Sequence, residues 1–285
     1  MIPAPFDYVR PGTVDEALEA LGRPDAKAIA GGHSLVPLMK LRVARPALLV
    51  DLAALDLRGV RADGGGIAIG ALTSYDELTG TAWPVRLPDA LLECADSVGD
   101  MQVRNAGTIG GSIAHGDPAS DLAAAVLALE ATLRLRSTSG TREVAASDFF
   151  LGPYTTSLAE QELLTEILLP EAGEGTGSAY VSLDDPASGY PIVGAAAVLR
   201  MEGDGLAACA VGLTGSWACP CRARALEEAL LSDGIGRAEV APGLLPEVEI
   251  GVDDADLAYR RHVAAVIAGR ALRRAGERAA RAAAG

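Results

Sequence analysis

Two segments of the sequence pair adjacent glycines with hydroxyl side chains. One is "AGGHSL", comprising Ala30, Gly31, Gly32, His33, Ser34 and Leu35; the other is "TIGGS", comprising Thr108, Ile109, Gly110, Gly111 and Ser112. A glycine carries no Cβ, so a bulky anion can come within hydrogen-bond reach of the main-chain N–H groups around it. Taken singly, each pair also fits an ordinary tight turn, and this chain has 33 glycines to place. Facing each other, the two loops can cradle a pyrophosphate from both sides. The chain has a formal charge of −14, which makes backbone amides rather than a lysine cluster the expected donors. That acidity also argues against a nucleic-acid partner, which needs a basic face.

Just after the second loop, "HGDPASD" places Asp117 and Asp121. A carboxylate beside a phosphate repels it, so these groups suit the hydroxyls of a sugar or polyol. Asp117 reads equally as the cap of a helix starting near Pro118. Asp121, one turn further on, is the stronger polyol candidate. Other phosphate motifs are missing. No lysine follows either loop as a P-loop requires, and "GGGIAIG" at 64–70 sets its last glycine one residue too far for a dinucleotide fingerprint. Four cysteines (94, 209, 219 and 221) and three histidines (33, 115 and 262) show no metal-ligand spacing. No metal and no catalytic side chain is expected.

These loops need elements to hold them. "TVDE" (13–16) and "SYDEL" (74–78) are capping boxes opening helices, through Thr13 with Glu16 and Ser74 with Glu77. Strands are expected at 26–30, 46–52, 66–72 and 162–170, and in "TLRLRS" and "TREVAA". Helices are expected after Ser34 as their cap, at 87–98 and at 122–131. Residues 99–121 show neither period and read as a long functional loop. "EAGEGTGS" (171–178) reads as a linker. Beyond it come three strands, a helix at 221–231 and a terminal helix from about Asp254 to Ala275, with a polar, Ala/Arg-rich tail reading as disordered. Strands followed by helices point to an α+β arrangement. The expected division is 1–170 (subdomains of about 1–55 and 56–170), linker 171–178 and a second domain at 179–285. With neither a basic, apolar leader nor a long apolar run, the chain is expected to be cytoplasmic and without a membrane span.

"AGGHSLVPLMKLR" and "TIGGSIAHGDPASDLAA" closely resemble the two flavin-binding segments of the medium subunit of molybdenum hydroxylases, the family of aerobic carbon monoxide dehydrogenase and xanthine dehydrogenase. The likeness runs from "PFDYVRPGTVDEAL" to "PASGYPIVGAAA". It implies an α+β fold: a two-subdomain FAD-binding domain of the vanillyl-alcohol-oxidase-like (PCMH) type, then an α+β domain like the C-terminal domain of the carbon monoxide dehydrogenase flavoprotein. It also implies FAD with its pyrophosphate between Ala30–Leu35 and Thr108–Ser112, Asp121 on the ribityl or ribose hydroxyls and Leu164 beside the adenine or along the cofactor. Tyr190 would lie against the isoalloxazine ring, although as a residue before a strand it reads equally as core. The implied partners are a small [2Fe–2S] subunit and a large molybdopterin subunit in a hetero-oligomer, with this chain relaying electrons to an external acceptor. A stand-alone FAD oxidoreductase of the vanillyl-alcohol-oxidase type and a non-catalytic scaffold remain as alternatives.

Overall fold

A computed structural model describes residues 2–203, 205–233 and 240–283. The chain opens with β1 (Asp7–Val9), α1 (Val14–Leu21), β2 (Ala26–Ile29), α2 (Leu35–Lys40) and β3 (Leu48–Asp51). The three strands pair in parallel, in the order β1-β3-β2. The Thr13 capping box forms as the sequence indicates. It starts α1 so that Ala17, Leu18 and Leu21 fall on one face, against Leu48 and Val50 of β3. The turn between β2 and α2 carries the first glycine pair.

The chain continues through β4 (Val60–Asp63), β5 (Gly66–Gly70), α3 (Tyr75–Gly80), α4 (Asp89–Ser97), α5 (Met101–Ala106), α6 (Ile109–His115) and α7 (Asp121–Ala128). After these come β6 (Thr132–Ser137), β7 (Gly140–Ala145), the short pair β8 (Phe150–Gly152) and β9 (Thr155–Thr156), and β10 (Leu163–Leu169). An antiparallel five-stranded sheet, β4-β5-β10-β6-β7, results. Residues 99–121 are therefore not a loop. Asp100 accepts hydrogen bonds from the N–H groups of Gln102 and Val103 and starts α5. Thr108 accepts from Gly111 to start α6, which ends at the left-handed Gly116. Two helices of six and seven residues, each with a side-chain cap at its N-terminus and a glycine at its C-cap, are too short to show a period.

The third sheet runs β11 (Thr176–Asp184), β12 (Pro191–Glu202), β13 (Gly205–Thr214) and β14 (Cys221–Arg222), in that order and antiparallel. Its outer face carries α8 (Arg224–Asp233) and α9 (Asp254–Ala283). Three expectations are corrected here. Residues 176–178 belong to β11 rather than to a linker, because Gly177 and Ser178 are buried against α9 and α4. Cys221 and Arg222 form a strand instead of opening the helix. The terminal helix runs on to Ala283, since Ala279 of the expected tail is buried on the sheet like Ala275 before it.

Helix α7 is buried from Leu122 to Ala128 because it lies between two sheets. It shares one core with Leu133, Leu135 and Ile167 of the five-stranded sheet and with Ala196 of the third. Its small residues let backbone meet backbone: a Cβ on Gly212 of β13 would stand 2.1 Å from the Ala124 carbonyl oxygen. The start of α7, where Asp121 sits, is thereby fixed from both sides.

Candidate functional site

A cleft of about 1070 Å³ opens between the three-stranded sheet with α2 and the segment 99–121. Residues 154–164 run along a third side, and the tip of the β11–β12 hairpin, Ala187–Tyr190, closes one end. The two glycine pairs meet here. A Cβ on Gly31 would lie 1.9 Å from the Ala106 carbonyl oxygen, and one on Gly111 would lie 3.7 Å from the Cβ of Ala30. His33 adds a tie between the walls, its Nε2 bonding the Gln102 carbonyl oxygen at 2.9 Å. A carbonyl oxygen only accepts, so Nε2 is the donor in this bond.

The loops differ in what they offer a ligand. In the first, Gly32 takes a left-handed conformation (φ +74°). The N–H groups of Gly32, His33 and Ser34 have no acceptor among the described residues. Ser34 holds the N-cap position of α2 but makes no capping bond with its side chain, so it lines the cleft instead. In the second loop the amides expected to face a ligand are engaged. Ile109 donates to the Thr73 carbonyl at 3.0 Å, Gly110 to that of Ala71 at 2.9 Å and Gly111 to Thr108 Oγ1 at 3.1 Å. The Ile109 side chain is fully buried in the core and does not line the cleft. Gly110 lacks a side chain for a packing reason: a Cβ would meet that of Ala71 at 2.4 Å. The second wall thus works by close approach, and the first carries the free amides.

The remaining predicted residues also reach the cleft. Asp117 Oδ1 accepts from the Ala119 N–H at 2.9 Å, fixing the turn before α7. Asp121 accepts from the Tyr180 hydroxyl at 2.5 Å and is raised to about 6, first by burial and then by the charge of Asp184, against the Tyr180 bond. Leu164 is a buried member of β10. Tyr190 is 50% exposed at the hairpin tip, so it is not a core residue. Burial raises its phenol first, with Asp117 and Asp121 adding to the effect.

Sequence reasoning missed several neighbours. Tyr75 is buried, which pushes it up to about 12 against a hydrogen bond with Ser112. Ser112 in turn bonds Ser120 at 2.8 Å. Tyr154 has φ +53° and lies 5.2 Å from the His115 ring. Burial lowers His115, opposed by the charge of Asp117. Lys27 is the sole lysine or arginine on the cleft wall among the described residues. The Ser74 capping box does place Tyr75 in a first helical turn, but nothing in the sequence aims it at the second glycine loop.

Residues 4–172 match the family described as the FAD binding domain in molybdopterin dehydrogenase. The chain belongs to this family. It is similar along its whole length to the carbon monoxide dehydrogenase medium chain of Afipia carboxidovorans: 36% identity, with 98% of this chain and 99% of the relative covered. The glyceraldehyde dehydrogenase medium chain of Sulfolobus acidocaldarius is 37% identical over 80% of this chain and 82% of its own. Among solved structures, a carbon monoxide dehydrogenase from Hydrogenophaga pseudoflava that lacks the Mo-pyranopterin moiety superposes with a TM-score of 0.88. It is 39% identical, with 98% and 99% of the two chains covered.

This medium chain is therefore an oxidoreductase flavoprotein subunit of the molybdenum hydroxylase family, with the α+β fold of that family, and its cofactor is FAD. The residues present fit the cofactor. A concave cleft with free amides on one glycine loop, and a second glycine loop within van der Waals distance of it, suits a diphosphate flanked by two larger groups. Among the described residues, no helix of the medium chain is long and apolar enough to cross a membrane.

Proposed function

We propose that this chain is the electron-transfer subunit of a molybdenum hydroxylase complex. It accepts electrons from a small [2Fe–2S] partner and passes them to an external acceptor, while a large molybdopterin partner carries the substrate chemistry. The assembly is a cytoplasmic hetero-oligomer. The observation that carries this reading is the single cleft in which both glycine loops meet.

In this reading Ala30–Leu35 hold the pyrophosphate, with the Gly32, His33 and Ser34 amides as donors. Thr108, Gly110, Gly111 and Ser112 form the opposing wall, with Ile109 anchoring it from the core. Asp121 accepts hydrogen bonds from the polyol, Asp117 holds the turn beside it, Leu164 covers the adenine side and Tyr190 lies against the ring. FAD, when bound, supplies the redox chemistry. The chain has to bind, orient and shield it, and the work needs no acid–base pair.

Two other readings predict different results. A stand-alone oxidase of the vanillyl-alcohol-oxidase type needs a substrate cavity built by a second domain. Here the third sheet contributes only the tip Ala187–Tyr190 to the cleft among the described residues, which supports the subunit reading. A scaffold needs no functional cleft at all. Affinity purification of the full chain from its host, with metal analysis and an absorption spectrum, separates the three. Flavin bands together with an iron–sulfur chain and a molybdenum chain support the proposal. A colourless chain that rejects added FAD overturns it in favour of the scaffold, and turnover of an organic substrate by the chain alone overturns it in favour of the oxidase.

A further inference from the structure

Tyr180 lies in β11 and is only 3% exposed. It does not line the cleft, yet it touches a residue that does: its hydroxyl donates to Asp121 Oδ1. Both ends of Tyr180 are held. Its N–H donates to Glu93 Oε2 at 2.8 Å. The other oxygen of Glu93 receives Arg274 and Arg278 of α9 at 2.7 and 2.6 Å. Space for the phenol is kept by Gly194 of β12, where a Cβ would stand 2.2 Å from the hydroxyl oxygen. Strand β11, strand β12 and helix α9 thus converge on the orientation of one carboxylate in the cleft wall.

We infer that Tyr180 is a positioning residue for FAD, acting from the third sheet through Asp121. The inference rests on the proposed role of Asp121 as acceptor for the cofactor's hydroxyls. A carboxylate accepts hydrogen bonds through two oxygens, and an unconstrained side chain rotates among several arrangements. With Oδ1 pinned by a phenol that is itself clamped at its backbone, Asp121 is held in one of them. Because Tyr180 does not line the cleft, any effect it has on FAD passes through Asp121. A tyrosine that merely fills the core would act on the fold and not on this carboxylate.

The test is a titration of the FAD-free full chain with FAD, followed by flavin fluorescence, for four proteins: the parent, Tyr180→Phe, Asp121→Asn and the double variant. Tyr180→Phe keeps the ring and removes one hydrogen bond to a charged group, so FAD affinity is expected to fall about tenfold. Asp121→Asn is expected to cost at least as much. In the Asn background, Tyr180→Phe is expected to change affinity by less than about twofold, because the residue it acts through is gone. Gly194→Ala, whose Cβ would stand 2.2 Å from the Tyr180 hydroxyl and 2.7 Å from Thr214 Cγ2, is expected to weaken FAD at least as much as Tyr180→Phe. Thermal melts of the FAD-free variants report the fold separately. If Tyr180→Phe binds FAD like the parent, or weakens it equally in both backgrounds, the inference is overturned. If Asp121→Asn itself binds like the parent, the reading of Asp121 falls and takes the inference with it. The two failures are thereby distinguished.

Discussion

Gly31 faces the backbone of Ala106 so closely that no side chain fits between them: a Cβ would lie 1.9 Å from the carbonyl oxygen and 2.9 Å from the Cα of Gly107. This contact, between residues 75 apart in the sequence (31 and 106), holds the first glycine loop against the chain that leads into the second. Gly31→Ala must push them apart, since the obstacle is backbone and cannot rotate away. Overpacking of this kind costs about 3 kcal/mol, the upper part of its usual range. The expected outcome is a lower urea midpoint together with loss of bound FAD from purified protein. A Gly31→Ala variant with parental stability and full flavin content would show that the loops are not held at this distance.

The buried Asp121 makes stability depend on pH in a specific direction. Burial, reinforced by the charge of Asp184, raises its carboxyl from 3.8 to about 6, and the Tyr180 bond only partly offsets this. Of the other groups packed around it, burial raises Cys94 and Tyr180 well above their ordinary values and pushes Tyr75 up to about 12. None of them ionises in the window concerned. Between about pH 4 and 6 the folded chain keeps a proton that the unfolded chain has lost. The contribution of this group is therefore complete at the acid end and disappears as pH rises through about 6. Asp121→Asn is expected to raise the urea midpoint of FAD-free protein at pH 8 and to flatten the slope between about pH 4 and 6, even as it weakens FAD binding. Identical pH slopes for parent and variant would contradict the assignment.

The sequence exposes the elements that depend on local rules and conceals those that depend on packing. Both capping boxes form, because Thr13 with Glu16 and Ser74 with Glu77 interact within a single turn. Both glycine pairs signal a close approach or a tight turn, and the first serves both, with Gly31 against Ala106 and Gly32 in the left-handed region. What approaches Gly31 and Gly110, however, is the protein itself, Ala106 in one case and Ala71 in the other. The donors of the second loop are engaged by Thr73, Ala71 and Thr108, two of which lie some forty residues earlier in the chain. No pattern within "TIGGS" encodes that. The same holds for Tyr180, brought to Asp121 by the stacking of the third sheet on α7, and for Tyr75, brought beside the second glycine loop by the bridge between Ser74 and Thr108. The alanine- and arginine-rich tail looks solvated because its burial depends on the complementary small residue Gly177 across the interface.

Arg222 and Glu227 form a buried pair with side chains 6% and 5% exposed, joined at 2.6 and 2.9 Å. Glu227 also accepts from the Val211 N–H at 2.8 Å, and Arg222 donates to the Leu127 carbonyl at 3.2 Å, so the pair binds the third sheet to the end of α7. Arg222→Met leaves the buried carboxylate with only the exposed Arg224, 3.6 Å away, and is expected to cost about 3 kcal/mol, the low end of the range for a broken buried pair. Replacing both residues with apolar ones is expected to recover most of that loss, because neither charge is then stranded. Urea denaturation of the two single variants and the double variant gives the coupling directly. Simple addition of the two single effects would mean the pair is not a unit.

Tyr190 is expected to separate binding from stability. It stands half exposed on a hairpin tip held by its own turn, where Asp185 accepts from the N–H groups of Ala187 and Ser188 at 2.7 and 3.1 Å. Those bonds use the Asp185 carboxylate and backbone N–H groups, so Tyr190→Ala leaves them in place and is expected to change stability by no more than about 0.5 kcal/mol. If the phenol lies against the flavin ring, its removal uncovers the ring and takes away an aromatic contact of about 0.5–1.5 kcal/mol. At equal occupancy, the fluorescence of bound FAD is then expected to rise and its accessibility to a soluble quencher to increase. Unchanged emission and quenching at full occupancy would place the ring elsewhere in the cleft, and the hairpin tip would then be a lid over some other part of the cofactor.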